Sequence, residues 1–430
     1  MKRKITERLL LWKDNPNRKP LILNGARQTG KTYILRQFGR ENYKNTVYIN
    51  FESNGTVASF FDDNISPTKL IKYLEAEAGQ RILPGETLII FDEIQACERA
   101  VTSLKYFYEE TPEYHIAAAG SLLGVAINRK STSFPVEKVN IYQLFPLDFE
   151  EFLWATENNF LCEEIYDCYN ASKPMNDSLH NKALSLYRDY LIVGGMPEAV
   201  KNFIETNSYI DAGLVQNDIL DSYTADMSKY ASNTETVKIR ACYNSIPEQL
   251  AKDNKKFQYK VVQKGGSSTI FGASIEWLKQ AGVILECQRI DQGTQPLAVY
   301  ADQTAFKIYM SDVGLLVNKS KMPVNTILTG TSNIFMGSVT ENYIAQQFAA
   351  KGYPLYYWTR TNSQAELDFV LQKDDKIYGI EVKKGEHVRS RSLNLFTQKY
   401  SPNYALRIST KNFGKTDDVI SVPLYAAFLI

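Results

Sequence analysis

An α/β fold built on a parallel sheet is what the sequence predicts, and three observations carry that expectation. Leu21 to Thr32 reads Leu-Ile-Leu-Asn-Gly-Ala-Arg-Gln-Thr-Gly-Lys-Thr, a short apolar run leading without a gap into the pattern G-x-x-x-x-G-K-[ST]. Leu88 to Glu93 reads Leu-Ile-Ile-Phe-Asp-Glu, an apolar run of strand length that ends in two acids. Around them, strand-length apolar runs alternate with segments of helical spacing, the order that closes into parallel strands with crossover helices.

In chain order, residues 1–19 form a first helix, with Ile5, Leu9 and Trp12 at helical spacing and a polar stop at Asp14-Asn15-Pro16-Asn17. Leu21, Ile22 and Leu23, bounded by Pro20 and Gly25, form the first strand. Gly25 and Gly30 permit positive φ, so the backbone of Gly25, Ala26, Arg27, Gln28, Thr29, Gly30, Lys31 and Thr32 can turn its N–H groups around phosphate at the start of the next helix. Lys31 supplies charge to the β and γ phosphates of a nucleotide, and the Thr32 hydroxyl is placed to ligate Mg2+. Thr46 to Phe51 is a second strand and Pro67 to Gly79 a helix closed by its glycine.

After the Pro84-Gly85 turn comes the acid-terminated strand, a Walker B pattern. Asp92 is expected to hold Mg2+ through water, and Glu93 to accept the proton of the water that attacks the γ phosphate. The bland reading, a strand meeting a solvated turn, loses weight because a phosphate loop lies upstream. Tyr114 to Ala119 is a fourth strand ending in Gly120-Ser121, where Ser121 is either a sensor of the γ phosphate or a turn serine. Val136 to Leu144 is a fifth strand, followed by a proline-introduced helix start at Phe145 to Phe152. Arg129 lies between these two strands, either solvated or reaching a neighbouring subunit's nucleotide.

The text then turns helical from about 156 to 235, interrupted by Gly194-Gly195-Met196-Pro197. Between about 236 and 320, Pro247 to Asp253 and Thr269 to Ala281 read as helices, and Val283 to Arg289, Leu297 to Tyr300 and Phe306 to Met310 as strands. That order suggests a winged helix, although its candidate recognition helix carries only Lys279 as a base, which equally suits a packing module between the two ends of the chain. Near the end a helix from Gly337 to Ala350 carries Glu341. Strands follow at Leu355 to Trp358, Leu367 to Leu371 and Ile377 to Lys383. Glu381 and Lys383 share a strand face, and a hairpin could bring Asp368 beside them. Two carboxylates and a lysine suit a hard divalent cation with phosphoryl chemistry, but residue types alone favour a polar strand face neutralised by its own lysine.

At 430 residues the chain should hold more than one core. Its formal net charge of +1 supplies no global field for nucleic acid, so any such surface is local. The five cysteines form no C-x-x-C pair, which suits reduced thiols in the cytoplasm and no zinc site. The basic start precedes an apolar stretch too short for a signal peptide, and no run reaches membrane-spanning length.

Together these blocks resemble a family of bacterial and archaeal AAA+ ATPases whose C-terminal domain of unknown function has a PD-(D/E)xK nuclease-like core. The resemblance also takes in Phe-Asp-Glu-Ile-Gln from Phe91, Gly-Ser-Leu-Leu from Gly120, Gly-Gly-Met-Pro-Glu from Gly194 and Tyr-Met-Ser-Asp-Val-Gly-Leu-Leu from Tyr309. Glu-Asn-Tyr-Ile-Ala-Gln from Glu341, Ala-Glu-Leu-Asp-Phe-Val from Ala365 and Ile-Glu-Val-Lys from Ile380 complete it. It implies an AAA+ P-loop ATPase core over 1–155, a helical lid over 156–235, a winged-helix-like region over 236–320 and a restriction-endonuclease-like α/β domain over 321–430. It further implies ATP and Mg2+ as cofactors, Asp92 and Glu93 as Walker B acids, Ser121 as sensor, and Arg129 as an approximate match to the family's arginine finger in a homo-oligomer. Glu341, Asp368 and Glu381 would hold a second divalent cation, with Lys383 beside them, in a module acting on nucleic acid. Leu367 stands where the motif's name has proline, a position that touches no ligand. The alternatives are a nucleotide-dependent switch or scaffold, or a protein remodeller, whose nuclease-like domain is structural only.

Overall fold

Period-two alternation divides the apolar runs of the first 145 residues between two faces of one sheet. In the computed structural model, which describes residues 1–430 except 54, 64, 122–133, 136, 230, 254, 332, 361–364, 384, 386–390 and 417, this sheet belongs to the smaller of two compact units. That unit comprises Lys2–Phe145 and Gln280–Gly282; the other comprises Pro146–Lys279 and Val283–Ile430.

The first unit holds strands β1 (Leu21–Asn24), β2 (Asn45–Asn50), β3 (Thr87–Asp92), β4 (His115–Gly120) and β5 (Asn140–Gln143), in the order β2-β3-β4-β1-β5 and all parallel. Leu21, Leu23, Leu88, Ile90, Ala117 and Ala119 point to one face, where they pack on helices α1 (Ile5–Asp14) and α2 (Lys31–Asn42) through Ile5, Leu9, Trp12, Ile34, Leu35 and Phe38. The intervening Ile22, Ile89, Phe91, Ile116 and Ala118 face helices α3 (Gly55–Asp63), α4 (Pro67–Ala78) and α5 (Glu98–Glu110). Both faces being covered is why these strands read as continuous apolar runs. Helix α4 ends on Gly79 at φ +64°, the left-handed stop that its glycine supplies.

The second unit is organised on an eight-stranded mixed sheet. Its strands are β6 (Ile284–Ile290), β7 (Ala301–Met310), β8 (Leu355–Thr359), β9 (Glu366–Lys373), β10 (Lys376–Val382), β11 (Tyr404–Ser409), β12 (Gly414–Thr416) and β13 (Val419–Pro423), in the order β12-β13-β11-β10-β9-β8-β6-β7. The hairpin β6–β7 is antiparallel and joins β8 in parallel, so it continues the C-terminal strands as one sheet. Helix Met336–Ala350 packs on β6, β7 and β8. The helices between 149 and 251 also belong to this unit.

Three local expectations change. The fifth strand contracts from 136–144 to 140–143. The helix expected at Pro247 is the last part of Asn233–Ala251, because the apolar spacing of Ile239, Cys242, Tyr243, Ile246 and Leu250 runs through the proline and is buried throughout. Leu297–Tyr300 is a 3-10 turn opened by Pro296, with only Leu297 buried, and the strand starts at Ala301.

Several of the blocks that carry the family likeness turn out to build this core. Asp312 caps its own helix by accepting from the Leu315 N–H at 2.9 Å and also accepts from the Gly195 N–H at 2.6 Å. A side chain at Gly194 would collide with the Asp312 carboxylate, and one at Gly195 with the Leu147 backbone, so both glycines are required by close approach. Burial pushes the Asp312 carboxyl up to about 6 against the pull of these donors. In helix Met336–Ala350, Asn342 both accepts from and donates to the Met310 backbone, at 2.7 and 3.0 Å, and Gln346 accepts from the Val313 N–H at 2.9 Å.

Candidate nucleotide site and a buried charge cluster

The loop between β1 and α2 rises from a strand flanked by β4 and the edge strand β5. Gly25 has φ +156° and Gly30 φ +90°, and Gly30 caps α2 in the left-handed region. A Cβ on Gly25 would strike the Leu144 carbonyl, so the cradle closes only around a glycine. The buried Lys31 ammonium donates to the carbonyls of Gly25 and Ala26 at 2.9 and 2.7 Å, which holds it inside the loop.

β3 brings Asp92 to the same edge. The Thr32 hydroxyl lies 3.0 Å from both carboxylate oxygens of Asp92, across 60 residues of sequence. Tyr48 donates to Asp92 Oδ2 at 2.6 Å and the Glu93 N–H to Oδ1 at 3.1 Å, so three donors fix this carboxylate. Glu93 sits past the strand end at φ +49°, uncommon for a residue with a side chain, and its carboxylate accepts from Gln95. Ser121 is buried and follows β4, the strand between the Asp92 strand and the phosphate-loop strand. Arg129 lies outside the described residues.

Four contributors here were not singled out from the sequence. Arg3 donates to the Thr29 carbonyl at 3.2 Å and to the Phe145 carbonyl at 2.6 Å, bracing the loop from the N-terminus. Gln95 orients Glu93, and Tyr48 orients Asp92. Gly282, at φ +71°, abuts the loop so closely that a Cβ would stand 3.0 Å from the Ala26 nitrogen. Of these only Gln95 left a trace, as part of the Phe-Asp-Glu-Ile-Gln block.

The second unit gathers its own charges. Glu381 and the Lys383 ammonium are 2.8 Å apart, and Asp368 on β9 accepts from the Val382 N–H of β10 at 2.7 Å. Glu341, buried on helix Met336–Ala350, is engaged by the Lys255 ammonium, by the Tyr309 hydroxyl at 3.3 Å and by Lys307 at 3.9 Å. Lys307 is fully buried and also pairs with Glu366 at 2.5 Å. Burial acts to lower the Lys307 pKa, but Glu366 and Glu341 outweigh it and hold the ammonium charged. Burial and the Glu341 charge push Asp368 up to about 7. Among the described residues no group of three or more His, Cys, Asp or Glu side chains is placed to hold a metal ion. Around Glu341 the counter-charge comes from lysines. Lys279, the one base on the expected recognition helix, is tied to Glu276 and Glu286 at 3.2 and 3.0 Å.

Residues 17–153 match the family model of an AAA domain, while residues 184–325 and 336–426 match two models described only as domains of unknown function (DUF8612 and DUF4143). Uncharacterized proteins of Mycobacterium tuberculosis and Mycobacterium bovis are each 30% identical over 125 residues, 27% of this chain and 27% of theirs. The chain therefore spans little more than a quarter of the curated relatives it matches. Among solved structures, the Walker-type ATPase of Pyrococcus abyssi is 14% identical with a TM-score of 0.43, covering 73% of this chain and 94% of its own. The ORC2 protein of Aeropyrum pernix, in its ADPNP-ADP complexes, is 11% identical with a TM-score of 0.36, covering 78% and 91%. Superposition at these scores is loose, and no function is carried across from them. The AAA match, with the parallel five-stranded sheet, supports an ATPase of the AAA+ type. Among the described residues no helix is long and apolar enough to cross a membrane.

Proposed function

We propose that the chain binds and hydrolyses Mg-ATP at the loop Gly25 to Thr32. The observation that carries this is the Thr32 hydroxyl at 3.0 Å from both oxygens of Asp92, a pair suited to magnesium that forms at the carboxyl edge of the sheet, across β4. The residues fit the nucleotide, since the Gly25 cradle tolerates no Cβ and Lys31 is held within it. Loop amides and Lys31 bind and orient the phosphates; Thr32 and Asp92 would hold Mg2+, which supplies charge neutralisation when bound. Glu93, oriented by Gln95, accepts the proton of the attacking water, and Ser121, after β4, is assigned to sense the γ phosphate. Assembly with further copies, each lending Arg129 to a neighbour's site, belongs to the same proposal.

Lys31→Ala should abolish nucleotide binding, whereas Glu93→Gln should keep binding and lose turnover, because only the water-activating group is gone. Nucleotide binding by calorimetry and phosphate release measure the two effects. Wild-type turnover by Glu93→Gln would remove that residue from its role.

A second reading concerns the C-terminal cluster. Glu381 Oε2 is buried and has no hydrogen-bond partner among the described residues, as a carboxylate awaiting a cation would be. On this reading Asp368, Glu381 and Glu341, which as they stand form no metal-holding group, exchange lysine partners for a divalent cation, and Lys383 assists phosphodiester cleavage of nucleic acid. On the competing one, a switch, scaffold or protein remodeller, the lysines neutralise the cluster permanently. Incubating the full chain with single- and double-stranded DNA and RNA, with Mg2+ or Mn2+ and with or without ATP, separates them. Cleavage that Asp368→Asn abolishes supports the nuclease; no cleavage under any of these conditions supports the scaffold.

A further inference from the structure

A cavity of about 370 Å3 opens beside the C-terminal half of α2 and the strand β2, lined in part by Arg36, Arg40, Tyr43, Lys44, Asn45 and Tyr48. That volume is in the range that holds a nucleotide-sized ligand. Among the described residues no carboxylate lines it, and its three cations come from one helix and the turn that follows. Lys44 is paired with Glu86 at 2.7 Å, and the nearby Glu41 accepts from Gln37 at 2.8 Å. Arg40 has no ion-pair partner among the described residues. Arg36 and Arg40 stand about one helical turn apart on the same side of α2, so their guanidiniums form a row that suits successive phosphates, each taken bidentately.

Each of the two tyrosine rings of the cavity has a cation over one face. Arg36 lies 4.8 Å over the ring of Tyr48 and Lys13 5.1 Å over that of Tyr43, whose hydroxyl is bonded to His115 at 2.7 Å. With a cation over one face of each ring and guanidiniums in a row beside them, the recognition chemistry is that of the phosphates. The cavity also touches the nucleotide site through one side chain. Tyr48, under Arg36, donates at 2.6 Å to Asp92, which is paired in turn with Thr32.

We propose that this cavity binds a chain of phosphates, from a nucleic-acid strand or a free oligophosphate, and that the contact Arg36 to Tyr48 to Asp92 couples its occupancy to ATP turnover. A phosphate drawn to Arg36 competes with the Tyr48 ring for the guanidinium, and the freed tyrosine changes how tightly Asp92 is held. Nothing in this requires the C-terminal unit.

The test uses the full chain with the phosphate loop saturated by Mg-ADP and a fluorescent oligo-dT as probe, read by anisotropy across a salt series. Arg36→Ala with Arg40→Ala should weaken binding at least about tenfold, and reduce the salt slope by roughly 1.4, two contacts at about 0.7 each for a single strand. The paired Lys replacements, which keep charge but lose the fork, should recover most of the salt slope. Unchanged affinity and slope in the double Ala variant would overturn the site. Unlabelled inorganic polyphosphate should displace the probe, since recognition is by phosphate; failure to displace it would overturn recognition by the phosphates. For the coupling, ATP turnover should change when oligo-dT is added to the wild type, and that response should vanish in Tyr48→Phe. A response retained in Tyr48→Phe refutes the coupling. The binding arm needs no hydrolysis, so it stands or falls separately from the ATPase proposal.

Discussion

Replacing Lys255 by Met tests whether the buried charges of the second unit are balanced by lysines. The change keeps most of the side-chain stem and removes one of the two ammonium groups that flank Glu341, a carboxylate only 6% exposed. Two unit charges in contact attract by about 4 kcal/mol at the effective dielectric of such sites. Against that upper value, the variant no longer buries an ammonium, and Glu341 keeps Lys307 at 3.9 Å and the Tyr309 hydroxyl at 3.3 Å. A net loss of about 2 to 3 kcal/mol follows, which for a unit of this size lowers its melting temperature by roughly 4 to 10 °C. Differential scanning calorimetry of the full chain measures it, with the transition that Mg-ADP does not raise assigned to the second unit. A shift below about 1 °C would refute the ion pair as a stabilising contact. Repeating the scan in millimolar Mn2+ adds a second outcome. If Glu341, Asp368 and Glu381 can take a cation once the lysine is gone, Mn2+ restores the transition; if not, the cluster is structural.

Two further expectations follow from close contacts. Gly25→Ala places a methyl against the Leu144 carbonyl at a strained φ, so ATP affinity should fall by at least about tenfold in a calorimetric titration, and an unchanged affinity would mean that the cradle is not the binding site. Asp312 carries its carboxyl raised to about 6 from an unfolded value of 3.8; the folded state thus binds the extra proton, and stability present below the unfolded pKa is lost as pH rises through the folded one. The difference amounts to about 3 kcal/mol across that window. Asp312→Asn should be less stable overall, because its amide cannot accept from both Leu315 and Gly195, yet should lose this part of the pH slope in denaturant melts between about pH 4 and 6. An unaltered slope would place the titration elsewhere.

The phosphate loop and the acid-terminated strand were legible in the sequence because their chemistry is local. Gly25, Gly30, Lys31 and Thr32 act within a single turn of chain, and a strand buried on both faces must end in polar residues where it meets the nucleotide edge. Likewise the two-residue spacing of Glu381 and Lys383 places both on one strand face, where they meet at 2.8 Å. The order of the strands was not legible, since parallel neighbours are joined by long crossovers and no residue announces that β1 lies between β4 and β5. For the same reason the partners of Asp92 could not be read: Thr32 is 60 residues away and Tyr48 is 44, and a tyrosine in a strand reads as packing.

The C-terminal cluster shows the same division most sharply. Its carboxylates could be picked out by motif, but the neutralisation of Glu341 comes from Lys255 and Lys307, 86 and 34 residues before it in the chain. A lysine in sequence reads as solvated surface, and only Lys307's place within the apolar run Ala-Phe-Lys-Ile-Tyr-Met hinted at burial. The sequence alone determined which chemical groups this protein can use, because residue type and short spacing set them. Which of those groups meet, and whether a carboxylate faces a lysine or a cation, was decided only by tertiary structure, because pairing across a sheet joins residues whose separation along the chain carries no signal.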